Sequence, residues 1–96
     1  MKHAGSDALG TISDLLARIR AKDGLNEKKP GIFYRKSSAF LHFHEDPAGL
    51  FADLKIGTEF DRYPINTQRQ RAALLAVIDR VLSAVAHRRQ TERLIR

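Results

Sequence analysis

Apolar residues recur at helical spacing near both ends of the chain. Three- and four-residue steps place them on one face of a helix. The N-terminal stripe consists of Leu9, Ile12, Leu15, Leu16 and Ile19, and the C-terminal stripe consists of Leu74, Leu75, Ile78, Val81, Leu82 and Val85. These stripes predict helices over residues 7–22 and 68–88. Thr67, followed three residues later by Gln70, fits a capping box at the start of the second helix.

Between the two stripes the pattern changes from helical to strand-like. Three runs, at residues 32–36, 39–45 and 50–56, are rich in aromatic and branched side chains. Turn-forming residues separate them, so they predict three consecutive antiparallel strands. Residues 58–65 predict a fourth strand at an edge, because the proline near its end cannot donate a backbone hydrogen bond. Pro30 and Gly31 predict a loop over residues 25–31.

The two turns between the central strands predict the register of the sheet. Turns at residues 37–38 and 46–49 pair Tyr34 with Leu41, Ile32 with Phe43, Leu41 with Leu54, and Phe43 with Ala52. Both turns then give one apolar face, made of Ile32, Tyr34, Leu41, Phe43, Ala52 and Leu54. A slip of one residue would send every side chain of a strand to the opposite face.

The order of elements, α-β-β-β-(β)-α, predicts an α+β fold. We expect a two-layer sandwich in which an antiparallel meander sheet of three to four strands carries the N- and C-terminal helices on one face. With 96 residues the chain predicts a single domain over residues 1–96, with tails at 1–6 and 90–96. The other face of the sheet is left to water or to a partner.

The uncovered face is the predicted functional surface. By this register it carries Phe33, Arg35, Phe40, His42, His44, Phe51, Asp53 and Lys55. His42 and Asp53 are predicted to be direct cross-strand neighbours, with side-chain roots roughly 4.5–5.5 Å apart. The alternative interpretation is that His42 and Asp53 make an ordinary polar contact on a solvent-exposed face of the sheet.

The absence of cysteine restricts the chemistry that this face can support. It excludes disulfides, thiolate zinc sites and cysteine nucleophiles. A metal site would need histidine and carboxylate ligands, and His42, His44 and Asp53 form a candidate set of the zinc or non-haem iron kind. No catalytic residue is assigned, because no nucleophile or oxyanion loop is identifiable. The cofactor stays open, and a metal-dependent enzyme is one of the alternatives.

Aromatic residues and net charge suggest two further alternatives. An exposed patch of Phe33, Phe40 and Phe51 would favour a partner, a ligand or a homodimer through the sheet face. The net charge of +6 favours anionic partners. A nucleic-acid-binding domain would use Arg35, Lys55, Arg69 and Arg71. No signal-peptide or membrane-span pattern is visible, so the sequence predicts a cytoplasmic protein that does not bind a membrane.

Residues 29–55, KPGIFYRKSSAFLHFHEDPAGLFADLK, resemble small bacterial domains of the luciferase-family type. That family has its own H-x-H followed by a hairpin and an acidic residue, so His42, His44 and Asp53 are the matching positions. A looser resemblance is to the MmcQ/YjbR-type domain and its α+β arrangement. Neither resemblance implies light-emitting chemistry or supplies a catalytic mechanism. The leading prediction is an interaction or small-ligand-binding module that uses the open sheet face.

Overall fold

Two helices precede the central sheet and one follows it. The computed structural model describes the backbone of residues 2–95 and the side chains of residues 2–84. The elements are β1 (Lys2–His3), α1 (Ser6–Thr11), α2 (Ser13–Arg20), β2 (Asn26–Lys29), β3 (Ile32–Arg35), β4 (Ser38–Asp46), β5 (Gly49–Ile56), β6 (Glu59–Pro64) and α3 (Gln68–Ile95). The protein is therefore α+β, as the sequence predicts. Within this described range no helix is both long and apolar enough to cross a bilayer.

All strand pairs of the sheet are antiparallel, and the main order is β2-β3-β4-β5-β6. The short strand β1 pairs with the C-terminal half of β4. The sequence does not predict β1 or β2, since one falls in the expected tail and the other in the expected loop. Both strands are short and polar. They join the sheet through backbone hydrogen bonds, which require no alternation of apolar and polar side chains in the sequence.

The helices differ from the prediction in their ends and in one break. The predicted helix over residues 7–22 is divided at Ile12, whose backbone leaves the helical region (φ −116°, ψ 27°) while its side chain stays buried. The capping box is confirmed, because the Gln70 N–H donates to Thr67 Oγ1 and the Thr67 N–H donates to Gln70 Oε1, both at 3.1 Å. The predicted tail at 90–96 lies outside the residues whose side chains are described.

The core lies between the helices and one face of the sheet. Its buried members are Leu9, Ile12, Leu15, Leu16, Ile19, Phe33, Phe40, Leu41, Phe43, Ala52, Leu54, Ile65, Leu74 and Ile78. Both predicted helical stripes contribute to it, so the helices cover a single face. The opposite face of β4, β5 and β6 carries the groups considered below.

The predicted register is confirmed for the second hairpin and wrong for the first. Leu41 pairs with Leu54 and Phe43 with Ala52, as predicted. In the first hairpin, however, Ile32 pairs with His42, Phe33 with Leu41, and Tyr34 with Ala39. The turn lies at residues 36–37, where Lys36 adopts the left-handed conformation (φ 57°).

An irregularity in the first hairpin explains why two phenylalanines leave the predicted outer face. Between the Phe33 and Tyr34 pairings the register shifts by one, so Phe40 is an extra residue in β4. Phe33 is 1% exposed and Phe40 is 3% exposed. Burying a side chain of this kind stabilises a fold by about 1.5–3 kcal/mol. The slip therefore places both rings in the core, whereas the predicted register would have exposed them to water.

Candidate metal centre

His42 and His44 lie on the outer face of β4, where they alternate with the buried Leu41 and Phe43. Their neighbours follow from the second hairpin. Asp53 of β5 pairs with His42, as the sequence predicts. Arg62 of β6 pairs in turn with Asp53.

A third histidine joins this pair through β1. His3 is the register partner of His44, and the N–H of the next residue, Ala4, donates to the Phe43 carbonyl at 3.0 Å. The His3 ring stacks on the His44 ring with centroids 4.7 Å apart. Its centroid is 5.7 Å from that of His42. The backbone pairing of β1 therefore completes a three-histidine cluster.

Glu45 anchors β1 beside the cluster. Its carboxylate accepts a hydrogen bond from the Gly5 N–H at 3.2 Å and lies 3.3 Å from the Lys2 ammonium. These contacts hold the chain on both sides of His3. Asp46 instead accepts the Ala48 N–H at 2.8 Å, inside the turn. Asp46 therefore belongs to the turn, whereas Glu45 holds β1.

The imidazole nitrogens are close enough to share one ion. One ring nitrogen from each of His3, His42 and His44 lies within 4.8 Å of the others. His42 Nδ1 and His44 Nε2 are 2.8 Å apart. Zinc–nitrogen bonds of about 2.0–2.1 Å separate two tetrahedral ligand atoms by about 3.3 Å. Ring movements on the order of 1 Å would therefore bring the three nitrogens to ligand spacing.

Asp53 lies beside the histidines but is held mainly by Arg62. The guanidinium donates to both carboxylate oxygens, from Nε to Oδ1 at 2.8 Å and from the terminal nitrogen to Oδ2 at 2.9 Å. His44 Nε2 is 3.1 Å from Oδ2. The Arg62 hydrogen bonds lower the pKa of Asp53 although burial opposes them. The carboxylate is therefore charged, and it holds the His44 ring through Nε2, the same nitrogen that faces His42 Nδ1.

The two central imidazoles are neutral near pH 7. Burial lowers the pKa of His42, and it also lowers the pKa of His44 against the opposing charge of Asp53. A neutral imidazole keeps one lone pair, which is the form that binds metals. Nδ1 of His44 is buried and has no hydrogen-bond partner among the described residues. The Lys2 backbone lies beside the His44 ring and acts to raise its pKa.

Apolar groups border the histidines on the same face. The Phe60 ring centroid lies 4.9 Å from that of His42, and Phe60 is 42% exposed. Phe51 is half-buried and pairs with His44. The cluster thus lies on the open face beside an exposed aromatic ring.

Four other predicted site residues lie away from the histidines. Phe33 and Phe40 are in the core, so the predicted patch of three phenylalanines is not formed. The Arg35 guanidinium lies 5.8 Å from the centroid of the Phe40 ring. Lys55 donates to Ser38 Oγ at 3.0 Å. The homodimer stays a prediction, now without the patch that suggested it.

The four cations of the nucleic-acid alternative lie at two ends of the sheet. Arg35 pairs with Ser38 at the start of β4. Arg71 donates to the Ile65 carbonyl at 2.9 Å, near the end of β4, and Arg69 is exposed in the first turn of α3. A nine-residue strand separates these ends by about 26 Å, since each residue adds about 3.3 Å. They form no single basic patch.

Sequence reasoning missed three residues of this site: His3, Phe60 and Arg62. Period-two alternation along β6 would have placed Phe60 and Arg62 on the outer face once the register with β5 was known. No periodic signal exists for His3, because β1 has two residues. Comparisons of the chain with protein-family models, curated proteins and solved structures find no match.

Proposed function

We propose that the protein is a metal-binding domain that holds a divalent transition-metal ion, of which zinc is the representative, through His3, His42 and His44. The observation that carries the proposal is the approach of one nitrogen from each ring to within 4.8 Å of the others. This refines the small-ligand module expected from the sequence, because the ligand becomes an ion on the open sheet face.

The donor set favours a borderline or soft transition metal over calcium or magnesium. Imidazole nitrogen suits zinc, copper, nickel and iron, whereas calcium and magnesium prefer oxygen ligands. Neutral rings at His42 and His44 would add no positive charge to that of the ion. Asp53 contacts Nε2 of His44, so an ion bound at that nitrogen would take the place of this contact and lie beside a negatively charged carboxylate.

A site with three protein ligands leaves a coordination position for water or a small ligand. The outer face is the side from which such a ligand would enter, with the exposed Phe60 next to His42. Metal-dependent catalysis is therefore an extension of the same site. Its predicted ligand set changes, since His3 takes the place that the sequence assigned to Asp53.

Zinc titration by isothermal calorimetry on protein purified without an affinity tag tests the proposal. We expect one zinc ion per chain. Replacing His3, His42 or His44 with alanine should remove a direct ligand. Each replacement should therefore reduce zinc affinity more than the loss of an outer partner does, which costs about 10–100-fold. His87→Ala is the matched control, because His87 is the remaining histidine of the sequence, and it should bind zinc as the wild type does.

Cobalt substitution then reports the coordination. The visible absorption of bound Co²⁺ should indicate four or five ligands and should disappear in each of the three cluster variants. A wild-type protein that binds neither ion would refute the proposal. An equal loss of affinity in His87→Ala would place the site elsewhere.

A further inference from the structure

A cleft lies at the end of the sheet where the β3–β4 and β5–β6 turns approach α3. Its volume is about 420 Å³, and its lining includes Arg35, Ser38, Phe40, Lys55, Ile56 and Val81. The histidine cluster involves the opposite half of β4, since His44 and Glu45 pair with β1 there. The cleft is therefore separate from the proposed metal centre.

Two cations line this cleft without an acidic partner. Lys55 donates to Ser38 Oγ at 3.0 Å, which holds its ammonium at the cleft. Arg35 lies over the face of the Phe40 ring. Neither side chain forms an ion pair with any carboxylate among the described residues. Two like charges at one partly enclosed place repel each other, so a bound anion would relieve that repulsion.

Most of the remaining lining is apolar. As the extra residue of β4, Phe40 turns its ring into the core, where it is 3% exposed. Val81 contributes from α3, and Ile56 lies at the end of β5 with 37% of its surface exposed. Small-molecule sites combine such walls with a few polar groups and commonly enclose about 300–1,000 Å³. The cleft fits the lower part of that range.

We infer that this cleft binds a small organic anion, a carboxylate carried on an apolar body. The carboxylate would accept hydrogen bonds from Lys55 and Arg35, and the apolar body would contact Ile56 and Val81. The enclosed volume suits a compact ligand more than a nucleic-acid strand. This inference does not depend on the metal centre.

Titration of ¹⁵N-labelled, metal-free protein with phenylacetate tests the inference by NMR. We expect amide shifts at Ala39, Gly57 and Ala84, which line the cleft. Phenylacetamide has the same shape without the charge and should bind about tenfold or more weakly, because it loses the charge-assisted hydrogen bonds. Inorganic phosphate supplies charge without an apolar body and should also bind more weakly.

Lys55→Met and Arg35→Met should each weaken phenylacetate binding about tenfold. Lys29→Met removes the same charge from an exposed position in β2 and should leave the affinity unchanged. The inference is overturned if phenylacetamide or phosphate binds as well as phenylacetate, or if the shifts lie elsewhere. An equal loss in Lys29→Met, or no wild-type binding, would also overturn it. The ligand comparison uses wild-type protein, so it stands even where a variant fails to fold.

Discussion

Asp53 shows how one side chain can be buried and still charged. Its residue is 7% exposed, and burial by itself would raise the pKa of a carboxyl group. The two hydrogen bonds from Arg62 outweigh that effect, so the pKa is lowered. A charged carboxylate fixed from one side by a guanidinium can hold an imidazole on the other side. The contact with His44 Nε2 is therefore a positioning contact.

Asp53→Asn tests that positioning role at the proposed metal centre. We expect zinc affinity to fall about 10–100-fold, because the neutral amide removes a negative charge beside the proposed ion, with the stoichiometry unchanged. Calorimetric titration measures both quantities. Asp61→Asn, at an exposed position of β6, is the matched control and should bind as the wild type does. Complete loss of binding would make Asp53 a direct ligand, and an unchanged affinity would remove it from the site.

At the scale of elements, the tight β4–β5 turn sets the register that joins His42 to Asp53. Gly49 ends the turn with a φ of +130°, which L side chains rarely adopt. A Cβ at Gly49 would lie 2.6 Å from Asn66 Oδ1. That oxygen accepts the Leu50 N–H at 2.9 Å, so the same atom links the turn to the segment before α3. The turn leaves no room for a side chain at this position.

Gly49→Ala should therefore lower the free energy of unfolding by about 1–3 kcal/mol, the cost of a strained backbone residue. Urea unfolding followed by circular dichroism measures the change. Gly10→Ala is the control, because a Cβ there meets nothing within 4 Å and the residue lies in α1. It should raise the free energy of unfolding by about 0.4–1 kcal/mol. An unchanged urea midpoint in Gly49→Ala would contradict the strain argument.

At the scale of the whole molecule, a surface ion pair ties the end of the α2 helix to the β2 edge strand. Arg20 donates to both Glu27 oxygens, at 2.5 and 2.9 Å, and the Gly31 N–H donates to the same carboxylate at 2.9 Å. The Arg20 hydrogen bond is the main cause of the lowered pKa of Glu27. The folded protein therefore binds a proton at Glu27 less readily than the unfolded chain does.

That lowered pKa predicts how stability depends on acid. The stabilisation that Glu27 contributes is complete above the pKa of Glu27 in the unfolded chain, near 4.5. It is lost as the pH falls through the lower pKa of Glu27 in the folded protein. Glu27→Gln should therefore show a shallower decrease in unfolding free energy below about pH 4.5, measured by urea unfolding at several pH values. Asp23→Asn, at an exposed residue after α2, should keep the wild-type slope. Equal slopes in Glu27→Gln and wild type would contradict this.

Local patterns by themselves determined the α+β class, both helical stripes, the capping box and the pairing of His42 with Asp53. Each of these depends on residues close together in the chain, or on a turn whose residues define one register. The stripe of the first helix also survives the break at Ile12, because burial depends on the face and not on continuous helical hydrogen bonds.

Only the tertiary structure decided the first-hairpin register and the membership of the histidine cluster. Phe33 and Phe40 turn inward because a core that includes the helices can bury them, and that gain is invisible within the hairpin. His3 reaches His44 because β1 joins β4 through backbone hydrogen bonds, which any sequence can form. The physical reason is the same in both cases: side-chain periodicity reports local geometry, whereas pairing between distant segments depends on which surfaces the folded chain leaves available.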